Sequence, residues 1–279
     1  MSAMARRTLL PPLAAHRPAG SRRTADERPA PGKGSGAGRG TVPDADTVPD
    51  ADTDAVAGAD TVADALRRPE STVLVIAKEP VAGRVKTRLT PPYSPAEAAA
   101  LAEAALGDTL HAVLGMPARR RVLVLDGAPG PWLPPGIEVV AQGGGTLDER
   151  LAAAFAGCQG PTLLIGMDTP QVTPALLAPA LRGDGWRDRD AWFGPAADGG
   201  FWALGLAEPD PELLRGVPMS TPATGAAQRR RLTDAGLRVG ELPVLRDVDT
   251  ADDAAWVAAL APGGRFARTL AGLSRAATR

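Results

Sequence analysis

A chain of 279 residues, 44% of them hydrophobic, has material for one domain of ordinary size and a real core, with residues to spare. A net charge of −1 speaks against a nucleic-acid partner, and a single cysteine leaves no disulfide framework and no thiolate zinc cluster, in keeping with a cytoplasmic location. The two histidines, His16 and His111, lie far apart, so a histidine-centred metal site or triad is not expected and any metal must be held by carboxylates.

Residues 1–70 read as a disordered, low-complexity tail. Arg, Pro, Gly and Ala dominate up to Gly40, and a tandem Thr-Val-Pro-Asp-Ala-Asp follows from Thr41 and again from Thr47. Such sequence cannot bury enough apolar surface to order itself. Arg6-Arg7 before Leu9-Leu10 has the look of a twin-arginine signal, but Pro11, Pro12 and His16 cut the apolar region short, so neither export nor a membrane span is expected. Met4 and Met116 enclose no other methionine, which leaves open a non-Met start nearer the folded part.

The first strand is expected over 72–77, a β-branched apolar run that opens into a loop carrying Lys78, Arg84, Lys86 and Arg88. The chain holds three lysines, and two of them fall within these nine residues. Four neighbouring cations repel one another unless an anion with several oxygens, such as a di- or triphosphate, sits among them. Gly83 would let the backbone approach it. The alternative is a solvated basic turn.

A helix over 95–114 follows, then strands over 121–125 and 137–141 and a helix over 147–157. The strand over 162–166 is wholly apolar and exits into Met167-Asp168-Thr169-Pro170, with a helix expected over 174–182. A strand over 191–194 leads to Asp198-Gly199-Gly200, and another runs over 201–205. After a helix over 224–236, the strand over 238–244 leads to Asp247-Val248-Asp249-Thr250 and a helix over 252–260. Residues 263–279 read as a short basic tail, so the domain is drawn over 71–262.

Strands alternating with helices predict an α/β domain with a mainly parallel sheet covered on both faces. Ligands in such sheets gather at the carboxyl ends of the strands. Three acidic loops and one cationic loop therefore share a rim, the pattern that magnesium or manganese requires when it bridges carboxylates and phosphate. Each aspartate also has a local explanation: Asp249 and Asp252 as helix caps, Asp198 as a turn residue, Asp168 in an Asx-turn.

These segments resemble a bacterial family of glycosyltransferase-A-like proteins, which includes an arsenosugar-biosynthesis type and a selenodomain-associated type and is related to molybdenum-cofactor and phospholactate guanylyltransferases. The resemblance rests on Ala77-Lys78-Glu79-Pro80, Gly83 and Val85-Lys86-Thr87-Arg88-Leu89, then Gly166-Met167-Asp168-Thr169-Pro170, Gly194-Pro195 to Asp198-Gly199-Gly200-Phe201, and Asp247-Val248-Asp249-Thr250. It implies a nucleotide-diphospho-sugar transferase fold, Rossmann-like, with the lysine loop on the nucleotide phosphates. Asp168, with Asp247 and Asp249, would hold the metal; Lys86, Asp168 and Asp198 would be catalytic, Asp198 lying near the acceptor. The chain departs from the family pattern at Gly145-Thr146-Leu147-Asp148-Glu149-Arg150 and at Met219-Ser220-Thr221. Glu149 and Arg150 either anchor the nucleotide or form the first turn of a helix.

The function implied is a metal-dependent transfer from a nucleotide-sugar to a small-molecule acceptor. A nucleotidyltransferase acting on a nucleoside triphosphate and releasing pyrophosphate is the second reading. A catalytically silent nucleotide-binding scaffold is the third.

Overall fold

Seven strands form one sheet in the order β3-β2-β1-β4-β6-β5-β7. The structure, a computed structural model, describes residues 71–277, and the tail expected over 1–70 lies outside the described residues. β1 (Thr72–Lys78), β2 (Arg120–Asp126), β3 (Glu138–Ala141) and β4 (Thr162–Gly166) run parallel. β6 (Phe201–Leu206) lies antiparallel between β4 and β5 (Ala191–Pro195), and β7 (Val239–Glu241) is parallel to β5. The chain leaves β1 toward β2 and later returns to its other side as β4. The crevice beyond the carboxyl ends of β1 and β4 is thus the topological switch point, where sheets of this kind bind ligands.

Helices cover both faces because the central strands are apolar on both. Val73, Val75 and Leu123 pack against α1 (Pro95–Leu114) and α3 (Pro174–Leu181), while Leu74, Val122 and Leu164 pack against α2 (Leu147–Ala156) and α4 (Thr224–Asp234). The helix starts are written in the sequence. Ser94 caps α1 with Pro95 at its first position, and the Ser94 N–H donates to the Glu97 carboxylate at 2.8 Å.

α5 (Ala251–Leu260) and α6 (Arg265–Ala277) complete a third cluster with Leu89, Leu101 and Val248. Residues 265–277, within the stretch expected as a basic tail over 263–279, form this last helix. Phe266 and Leu270 are buried against α1, and the Asp108 carboxylate accepts from the N–H groups of Arg265 and Phe266, each at 2.9 Å, closing the start of α6. The ordered unit therefore runs past 262. Phe266→Ala is expected to cost about 3 kcal/mol or more of stability, read as a lowered urea midpoint. An unchanged midpoint would show α6 to be a passive appendage.

Candidate active site

The cationic loop is pinned from below. Val85 and Leu89 are buried, which turns Arg84, Lys86 and Arg88 away from the core and onto the rim of a cleft of about 510 Å³. Lys86 itself is left-handed at φ 48°, ψ 40° and precedes a short 3-10 turn, Thr87–Leu89. A lysine gains nothing locally from that conformation, so the surrounding structure imposes it.

The acidic loops arrive from the other side. The Val248 N–H donates to the Asp168 carbonyl at 3.0 Å, tying the loop after β7 to the loop after β4. Val248 is buried, and Asp247 and Asp249 on either side of it line the cleft. The Lys86 ammonium then sits between two carboxylates, 2.9 Å from Asp168 Oδ2 and 3.1 Å from Asp249 Oδ1. Arg88 reaches Asp249 Oδ2 at 3.0 Å. The Lys86 side chain is 8% exposed, against 37% for Asp168 and 36% for Asp249. Burial alone would lower its pKa, but the charges of Asp168 and Asp249 and their hydrogen bonds outweigh that and hold the ammonium above its ordinary value.

Asp247 is the unsatisfied member. Its Oδ1 is enclosed without a hydrogen-bond partner. Burial, then the charges of Asp168 and Asp198, push its carboxyl up to about 7, with Lys86 opposing and Asp249 adding to the rise.

Asp198 stands on a turn that glycine alone can make. Gly199 has φ 90°, and a Cβ there would collide with the Pro222 carbonyl oxygen. The Asp198 Oδ1 accepts from the Gly200 N–H at 2.8 Å, and the Gly225 N–H donates to the Gly199 carbonyl at 2.8 Å, locking the turn to the start of α4. The segment before α4 also faces the cleft. Ser220 there is, with Lys86, one of two non-glycine residues of positive φ among those described, and both line the same cleft.

On the β1–β2 side, Arg150 NH1 donates to Gln142 Oε1 at 2.8 Å and stands 3.9 Å from Asp126 Oδ2. Gln142 is fixed in turn by donating to the Ala77 and Val124 carbonyls, each at 3.3 Å.

The structure thus brings together Lys78, Arg84, Lys86, Arg88, Arg150, Asp168, Asp198, Asp247 and Asp249 around one cleft. Gly83 is not among its lining residues and borders a small separate cavity with Thr87 and Pro95. Glu149 is the capping residue of α2, accepting from the Thr146 N–H at 2.8 Å, and leaves Arg150 alone to face the cleft. The sequence does not single out Gln142, and Ser220 stands out there only as part of a departure from the family pattern. Gln142 directly follows a strand, as Asp168 nearly does, but has no charge to draw attention; a left-handed serine has no sequence signature.

Among the described residues no group of three or more His, Cys, Asp or Glu converges as a preformed metal cage. The donors present are nonetheless carboxylate oxygens with one orphan, Asp247 Oδ1, among them. That set suits a hard divalent ion, which commonly takes one or two carboxylates and completes its shell with substrate phosphate and water. No described helix is long and apolar enough to cross a membrane.

The model of a family described as "Uncharacterized protein conserved in bacteria (DUF2064)" matches residues 100–221, a span that holds Asp168 and Asp198. No curated protein matches the sequence. Among solved structures, a proposed nucleotide-diphospho-sugar transferase from Desulfovibrio desulfuricans is 29% identical, with a TM-score of 0.59 over 65% of this chain and 83% of its own. A 2-C-methyl-D-erythritol 4-phosphate cytidylyltransferase from Thermus thermophilus is 18% identical, with a TM-score of 0.44 over 69% and 99%. A Mycobacterium tuberculosis protein solved with manganese is 24% identical, with a TM-score of 0.43 over 68% and 98%. The fold is that of the nucleotide-diphospho-sugar transferases.

Proposed function

We propose that the protein is a divalent-metal-dependent transferase that uses a nucleotide-activated donor, and that its reaction is glycosyl transfer to a small-molecule acceptor. The observation that carries this is the meeting of a cationic loop and three acidic loops at the β1–β4 switch point, in a cleft of a size suited to one activated sugar. Likeness to the Desulfovibrio protein supports the donor class. The finer assignment, to an arsenosugar-biosynthesis or selenodomain-associated type, rests on the sequence motifs.

Lys78, Arg84 and Arg150 are the cations that would receive the diphosphate, with Arg88 behind them on Asp249. Asp168, Asp247 and Asp249 would hold magnesium or manganese, which when bound offsets the charge growing on the departing phosphate oxygen. The acceptor hydroxyl oxygen bonds to the anomeric carbon as the bond from that carbon to the phosphate oxygen breaks, and a nucleoside diphosphate leaves. Asp198, with Oδ1 engaged by Gly200, offers Oδ2 to the acceptor proton. The single cysteine agrees with a cytoplasmic enzyme.

Nucleotidyl transfer uses the same furniture and is favoured by one observation, the number of cations on the rim, which suits a triphosphate and a pyrophosphate leaving group. The melting temperature of the full chain against nucleotide-sugars and nucleoside triphosphates, with and without magnesium or manganese, separates the two. A midpoint rise with a nucleotide-sugar only when metal is present is the expected result. A rise with triphosphates alone reassigns the reaction, a rise without turnover leaves the nucleotide-binding scaffold, and no rise with any member removes the nucleotide-donor reading.

A further inference from the structure

We propose that the Asp168–Asp249 pair is an exchangeable cation site whose resident cation is the protein's own Lys86, which the divalent ion displaces. This rests on the metal-dependent reading above and adds to it a competitor built into the chain. The Lys86 ammonium lies on both carboxylates that the metal needs, at 2.9 and 3.1 Å, and is 8% exposed. Arg88 already takes the other oxygen of Asp249 at 3.0 Å, so a divalent ion added beside the Lys86 ammonium would meet repulsion that the partly buried site magnifies. Without its ammonium, the pair would leave Asp168 and Asp249 facing Asp247 and Asp198, whose charges already act on one another. Lys86 therefore keeps the acidic rim assembled and closed to cations until a better one arrives.

The geometry of release is also present. Lys86 is held in a left-handed backbone between the buried Val85 and the 3-10 turn, so its contact with the carboxylates is made by the side chain alone. Its neighbours Lys78 and Arg84 line the same cleft, so the freed ammonium has the donor phosphates to move to. The ion and the donor phosphates then replace, between them, both of the contacts that Lys86 gives up. Metal alone should bind weakly, and metal with nucleotide strongly.

The test is manganese binding to the full chain without nucleotide, followed by loss of the free-ion electron paramagnetic resonance signal. Lys86→Met should bind manganese roughly tenfold more tightly than the unaltered protein, because two charge-assisted hydrogen bonds no longer have to be broken. Lys86→Gln, which is closer in polarity, serves if the methionine variant does not fold. In either variant the melting temperature in chelator should fall and then recover on adding manganese by more than the unaltered protein gains. A second readout uses the chain's three lysines, which mass spectrometry of acetylated peptides resolves one by one. Manganese should raise the acetylation of Lys86 and leave that of the exposed Lys78 unchanged. Equal or weaker binding in both variants overturns the exchange while leaving the metal-dependent reading intact. No manganese binding by any form, with or without nucleotide, overturns both.

Discussion

Asp168→Asn is expected to reduce transfer by a factor of roughly 10²–10³ while the protein keeps its fold, a size typical of removing one group that stabilises transition-state charge. Asp168 sits at the exit of β4, where the buried strand ends and the cleft begins, and it touches Lys86 at 2.9 Å. Its backbone carbonyl, which the substitution retains, holds the Val248 N–H and with it the whole Asp247–Asp249 loop. The amide keeps the shape of the carboxylate, removes its charge and exchanges one acceptor oxygen for an NH2 donor. Lys86 retains Asp249 as a partner, so the stability cost should stay near 1 kcal/mol, in the range of a partly exposed ion pair. The check is donor turnover beside a thermal melt, with donor affinity measured separately. If turnover survives within tenfold, Asp168 is an ion-pair partner of Lys86 and no more. If turnover and melting temperature fall together, the residue's role is in the fold.

Most of the fold was legible because its rules are local. β1 and β4 announce themselves as apolar runs with abrupt polar exits, and α1 starts where Ser94, Pro95 and Glu97 say it must. The errors have physical reasons. The strand expected over 238–244 shortens to Val239–Glu241, because Pro243 has no N–H to give the ladder; the path continues only as the Leu242 N–H on Phe193 and a bridge between Ala196 and Leu245. α6 was hidden by Arg265, Arg268 and Arg275, although Phe266, Leu270 and Leu273 are spaced i, i+4, i+7 and were its signal. In the site, the signs of the charges and their common rim were readable, since both follow from strand ends. Which charge claims which was not. Glu149 folds back on the exposed start of α2 to accept from the Thr146 N–H, and Lys86 places its ammonium on Asp168 and Asp249, choices made by distances that only the folded chain sets.

Asp247→Asn should stabilise the protein and disable it. Asp247 carries an enclosed oxygen without a partner and a carboxyl held up to about 7, first by burial and then by Asp168 and Asp198. A carboxyl at its ordinary 3.8 in the unfolded chain and near 7 in the folded one binds its proton more tightly when folded. The stability this gives is complete below the unfolded value and is lost as pH rises through about 7, where the folded protein must carry the ionised group. Asparagine has no charge to carry. In chelator at pH 8 the variant should gain about 1–2 kcal/mol, or roughly 3–6 °C, allowing for the solvent that reaches a half-buried group. The gain should shrink toward pH 5 as the native carboxyl takes up its proton. With metal and donor added, the order should reverse: the native protein gains from the bound ion, and the variant, short of one carboxylate ligand, gains much less. Melting curves for both proteins at pH 5, 6, 7 and 8, with chelator and then with manganese and donor, decide it. A difference between the two proteins that does not change with pH would show that Asp247 is not a strained acid, and an equal response to metal would remove it from the ligand set. The pattern expected, a residue that costs stability until its ligand arrives, is what a binding site kept at the expense of the fold looks like.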